Sequence, residues 1–63
     1  MTPDLTPRQR QVCRLLATGL IDKEIASKLG LSKRTVESHV ANGMVRVKAR
    51  TRAQYVFLVL LED

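Results

Sequence analysis

The sequence predicts an all-α fold, a four-helix bundle that contains a helix-turn-helix, and three observations predict it. Four polar residues able to cap a helix (Thr6, Asp22, Ser32 and Thr51) each precede a segment that reads as helical. Gly19 and Gly30 fall between the first three segments, where helices stop. The chain has 63 residues, room for one small core, and its short connections suit a compact bundle.

The first helix is expected over about residues 7–18. Thr6 is its N-cap, Pro7 takes the first helical position and Gln9 closes a capping box. Val12, Leu15 and Leu16 form its buried stripe, Gly19 ends it, and residues 1–5 read as a lead-in. Asp22 is expected to cap the second helix, over about 23–29. Gly30 and Leu31 make a tight turn, and Ser32 caps the third helix, over about 33–47, with Val36 and Val40 on its inner face. Thr51 and Gln54 repeat the capping-box pattern and open a fourth helix over about 52–61. Its stretch from Tyr55 to Leu61, YVFLVLL, is apolar all round. Tyr55, Val56 and Val59 can face inward, which leaves Phe57, Leu58 and Leu61 for a dimer interface. A strand is the competing reading of this β-branched and aromatic run, opposed by the capping box and the helical context.

Composition narrows the function. The net charge is +5 with a pI near 10.2. Six of the eleven cations (Lys33, Arg34, Arg46, Lys48, Arg50, Arg52) lie between residues 33 and 52, where Glu37 is the one acid. That concentration suits phosphate neutralisation, although a solvated basic surface has the same composition. Aromatic content of 3% weighs against stacking on single-stranded bases. Cys13 is the single cysteine, which excludes an internal disulfide and a cysteine-rich zinc site, and it reads as half-buried packing on the first helix. No second histidine accompanies His39, so no metal and no cofactor are expected. There is no acid–base constellation around Cys13 and no phosphate-cradling glycine loop, so an enzyme is not expected. No apolar run approaches a membrane span and no signal-peptide pattern precedes the first helix, so a cytoplasmic place is expected.

Leu5-Thr6-Pro7-Arg8, Gly19-Leu20, Lys23-Glu24-Ile25-Ala26, Leu31-Ser32, Thr35-Val36, His39-Val40 and Asn42 stand in a specific order and spacing. By these residues the chain resembles the LuxR-type (GerE-type) helix-turn-helix of bacterial transcription regulators, from about Leu5 to Val56. The resemblance implies one DNA-binding domain over residues 1–63, the third helix in the major groove, a fourth helix that makes a symmetric dimer contact, and a place at the bacterial nucleoid. Region 4 of bacterial sigma factors is the nearest different family; His39 and the apolar fourth helix favour the LuxR type. Three departures stand out. Lys48 takes the place of a glycine at the end of the third helix, where a left-handed backbone costs a residue with Cβ about 1 kcal/mol. Gly43 stands where an aliphatic residue is usual and costs about 1 kcal/mol of helix propensity. Gln9 replaces a common glutamate.

Helix geometry and the resemblance together place Lys33, Arg34, Glu37, Ser38 and Ala41 on the outward side of the third helix. Arg34 is the candidate for guanine or phosphate, Ser38 for several base edges, and the Ala41 methyl for a thymine methyl. Glu37 accepts from a cytosine amino group, or is a solvated or internally paired acid. Lys23, Ser32, Lys33 and Thr35, with the amides that open the third helix, are candidates for phosphate. Arg50 and Arg52 reach the duplex flank or solubilise their loop. The resemblance sets His39 near a phosphate; the alternative is packing between helices. Two functions follow. One is sequence-specific binding of double-stranded DNA as a homodimeric transcription regulator, with another regulator or RNA polymerase as a further partner. The other is a protein-interaction module that uses the C-terminal helix to bind and inhibit a related regulator.

Overall fold

The computed structural model describes residues 5–62, and over them the chain forms four helices and no strand. These are α1 (Pro7–Ala17), α2 (Asp22–Leu29), α3 (Lys33–Val47) and α4 (Arg52–Glu62). The strand reading of YVFLVLL is excluded. Its first turn closes through the Tyr55 amide, which donates to the Thr51 carbonyl at 2.9 Å, and a lone strand in a helical bundle would have no ladder to join.

Each helix begins where local chemistry satisfies its first amides. At α1 the capping box is complete: the Gln9 amide donates to Thr6 Oγ1 at 3.1 Å and the Thr6 amide to Gln9 Oε1 at 2.9 Å. At α3 the Thr35 amide donates to Ser32 Oγ at 3.1 Å. At α4 the box is skewed. The Gln54 amide donates to Thr51 Oγ1 at 3.0 Å, while Gln54 Oε1 accepts from the Arg50 amide, one residue further back, at 2.6 Å.

The start of α2 corrects the expectation for Asp22. Ile21 holds the extended N-cap backbone, and its amide donates to the Glu24 carboxylate at 3.0 Å. Asp22 is instead the first helical residue, and its carboxylate faces α4. There Arg52 donates to both carboxylate oxygens, at 2.6 and 2.7 Å. The residue is claimed by a distant partner rather than by its own helix, a choice invisible to local pattern.

The core draws on every helix: Val12 and Cys13 from α1, Ile25 and Ala26 from α2, Val36 and Val40 from α3, Tyr55 and Val59 from α4. Leu15 and Leu16, read as part of the buried stripe of α1, pack around it half-exposed. Two positions lie deeper than expected. Leu5, placed in the lead-in, is 8% exposed and belongs to the core, whereas the rest of that lead-in falls outside the described residues. Cys13 is fully buried rather than half-buried.

Gly43 has a structural reason. It is buried on α3 directly beneath the Tyr55 ring, so close that a Cβ at this position would lie 2.6 Å from Cζ and 3.0 Å from Cε1. The absent side chain of one helix is the space filled by the tyrosine of the next. The Tyr55 hydroxyl reaches the Gln9 carbonyl at 3.5 Å, so the ring spans from α4 under α3 to α1. Burial pushes its phenol up to about 12.

The helix ends also follow the sequence. Gly30 is left-handed (φ 70°), and the Leu31 amide donates to the Ala26 carbonyl at 2.9 Å, a Schellman closure. The same closure ends α3 with the Ala49 amide on the Met44 carbonyl at 2.9 Å, but the left-handed residue there is Lys48 (φ 59°). The strain expected of a lysine in a glycine position is present.

Candidate nucleic-acid interface

The helix-turn-helix consists of α2, the Gly30 turn and α3. Val36, Val40, Gly43, Met44 and Val47 turn α3 inward, the first three buried and the other two half-buried against the core. With that side fixed, Arg34, Glu37, Ser38 and Ala41 all lie exposed on the other side. The sequence-based placement of the outward residues therefore agrees with the burial of this helix.

Around the start of α3 the chain gathers cations and amides. Lys23 and Lys33 line one depression together with Ile21, Asp22, Glu37 and Arg52. Ser32 is occupied as the cap, and its Oγ also lies 2.8 Å from Thr35 Oγ1, so these two hydroxyls bond each other in the free protein. The positive end of α3 therefore opens next to two lysines, an arrangement suited to an anion.

Glu37 has a partner on its own helix. Lys33 Nζ stands 3.9 Å from Glu37 Oε2, one turn away. Both side chains are largely exposed, so the pair is worth only about 0.3 kcal/mol. It is nevertheless the internally paired alternative for Glu37.

Arg52 differs from its neighbour Arg50. Arg50 is exposed, whereas Arg52 is committed to Asp22. The hydrogen bonds from Arg52 hold the Asp22 carboxyl below its usual range against the opposing effect of burial, and those same bonds raise the Arg52 guanidinium. Helices α2 and α4 do not pack backbone to backbone among the described residues, so this bidentate pair ties α4 to α2, beside the packing of α4 on α3. Arg52 thus has a structural duty that Arg50 lacks. His39 is half-exposed on α3, between the outward stripe and the core.

On α4 the inward residues are as expected: Tyr55 and Val59 are fully buried and Val56 half-buried. The outer side carries Phe57 (61% exposed), Leu60 (43%) and Leu61 (70%), with Leu58 half-buried at its flank. Leu60 was missed as an outward residue, although its helical angle beside Phe57 already placed it there. Val45 on α3 was missed for the same reason; it continues the outward series four residues beyond Ala41 and is 76% exposed.

A helix-turn-helix with a cationic opening to its second helix and an exposed polar outer side defines the class of DNA-binding regulatory domains. The family model described as bacterial regulatory proteins, luxR family, matches residues 3–59, and the chain belongs to that family. It is 46% identical over 57 residues to the transcriptional regulatory protein FixJ of Azorhizobium caulinodans, covering 90% of this chain and 27% of that protein. It is 41% identical over 58 residues to the spore germination protein GerE of Bacillus subtilis, covering 92% of this chain and 78% of that one. It is also 54% identical over 43 residues to the transcriptional regulatory protein UhpA of Escherichia coli, covering 68% of this chain and 22% of UhpA. The chain thus spans about a quarter of the length of FixJ and UhpA but most of GerE. The family is one of DNA-binding transcription regulators rather than enzymes. No helix among the described residues is long and apolar enough to cross a membrane.

Proposed function

We propose that the chain binds double-stranded DNA sequence-specifically as a homodimer, with α3 in the major groove and α4 joining the two copies. The observation that carries this reading is the outer side of α3. Arg34, Glu37, Ser38 and Ala41 are exposed there on a helix whose inner side is closed by the core, so the stripe has no structural duty of its own. Arg34 would address guanine or phosphate, Ser38 a polar base edge and Ala41 a thymine methyl. Lys23, Lys33 and Arg50, the hydroxyls of Ser32 and Thr35, and the half-exposed His39 would hold the backbone and set the register.

The dimer contact rests on Phe57, Leu60 and Leu61, exposed on a helix that carries no charged residue between Ala53 and Leu61. An isologous contact along α4 would place two α3 helices on successive faces of one duplex, reading half-sites about one helical turn or less apart.

Fluorescence anisotropy against a random-sequence duplex, titrated across salt, tests the DNA reading. A log–log slope steeper than about −3 is expected, since each neutralised phosphate contributes close to one. Arg34→Ala should then weaken binding to a selected site, and Leu61→Glu should return the protein to a monomer in sedimentation. Absence of binding at low salt by a folded protein would overturn the proposal. It would leave the apolar side of α4 as a surface for another regulator.

A further inference from the structure

Val45 is the most exposed of the large hydrophobic residues among the described residues, at 76%. At 100° per residue, Arg34, Ser38, Ala41 and Val45 fall within an arc of about 60° on α3, so Val45 lies in the middle of the outward stripe rather than at its margin. It has no part in the core, whose α3 contribution is Val36, Val40 and Gly43 with Met44 and Val47 beside them. A β-branched residue gains nothing locally from an exposed helix position, so an apolar contact outside the chain would give Val45 a use that the fold does not.

We propose that Val45 is a specificity-determining residue that, with Ala41, selects thymine through its 5-methyl group. The assignment rests on the reading that α3 occupies the major groove. Among base edges in that groove, the thymine methyl is the one apolar group. Ala41 and Val45 stand about 6 Å apart along the helix, which corresponds to neighbouring base steps rather than to a single base. The charge around Val45 favours a duplex over a second copy of the chain. Val45 shares its stripe with Arg34 and is followed by Arg46 and Lys48, all exposed, whereas the apolar side of α4 has no charged residue from Ala53 to Leu61. Cations beside an apolar patch suit a polyanion and repel an identical surface.

The test begins with selection of duplexes from a randomised library by the wild-type protein. Each thymine of the selected duplex is then replaced in turn by deoxyuridine, which removes the methyl group alone, and affinity is read by anisotropy. Loss of one methyl contact should weaken wild-type binding about fourfold. In Val45→Ala, one thymine position should lose this sensitivity while the others keep it and the salt slope stays unchanged. Because Val45 is exposed and alanine is the better helix former, the variant should fold, and circular dichroism checks this. A selected duplex without thymine, or a Val45→Ala variant that keeps wild-type sensitivity at every thymine, would overturn the assignment and leave the groove reading of α3 standing. A shift of the monomer–dimer equilibrium in Val45→Ala, with thymine sensitivity intact, would assign the residue to a contact between copies. Failure to enrich any duplex would overturn both readings together.

Discussion

Gly43→Ala should destabilise the protein, against the ordinary preference of helices for alanine. Considered as a helix position alone, the substitution gains about 1 kcal/mol. The structure supplies a larger opposing effect. The new Cβ would sit 2.6 Å from Tyr55 Cζ and 3.0 Å from Cε1, well inside the 3.5–4.0 Å at which carbon atoms rest. Tyr55 is fully buried and cannot swing into water to make room. Forcing a methyl into such packing costs about 1–3 kcal/mol, and any retreat of the ring weakens the contact of its hydroxyl with the Gln9 carbonyl. The net loss should be about 1 kcal/mol, a fall in Tm of about 4–8 °C for a domain this small. Thermal and urea unfolding followed by circular dichroism would measure it. In a Tyr55→Phe background, which removes the atom nearest to the new methyl, the penalty should shrink, giving a measurable coupling between the two positions. A rise in Tm on Gly43→Ala in the wild-type background would refute the argument that Gly43 exists to admit the tyrosine.

Three further outcomes follow from the same geometry. Lys48→Gly should stabilise the chain by about 0.5–1 kcal/mol, because glycine adopts the left-handed backbone at the end of α3 without strain; an unchanged Tm would mean that the strain is relieved elsewhere. Asp22 is held below the usual carboxylate range by Arg52, so its contribution is complete above about pH 3.9 and is lost as the pH falls through its lowered folded value. Asp22→Asn should therefore cost about 1 kcal/mol at pH 7, a modest figure because Arg52 is 46% exposed, and a gap from wild type that persists undiminished at pH 2 would count against the pair. Tyr55 is raised to about 12 by burial, so stability tied to its neutral phenol is complete below about pH 10 and is lost as the pH rises toward 12. Tyr55→Phe should lack that alkaline loss, about 2 kcal/mol, and equal alkaline unfolding of the two proteins would argue against a buried phenol.

The elements of this fold were legible because each is set by neighbours in the chain. Thr6 with Gln9, Ser32 with Thr35 and, across the Gly30 turn, Leu31 with Ala26 are contacts across a few residues, and each forms where the spacing of residue types predicts a cap or a turn. The outward stripe of α3 was legible for a related reason: once Val36 and Val40 face inward, helical periodicity places Arg34, Ser38 and Ala41 opposite. Asp22 was misread because its carboxylate had two possible claimants, the amides of its own helix and a guanidinium thirty residues away. A local reading weighs only the first of these.

The sequence by itself determined four helices, their order, the turn between α2 and α3 and the family to which the chain belongs, since capping, periodicity and spacing are short-range properties. Only the tertiary structure decided that Gly43 is the seat of Tyr55, that Arg52 ties α4 to α2, and that Leu5 and Cys13 lie within the core. Each of those outcomes depends on which helix faces which. That arrangement is settled by how the apolar sides of four helices fit together at once, and the packing of one against another cannot be read from any helix taken alone.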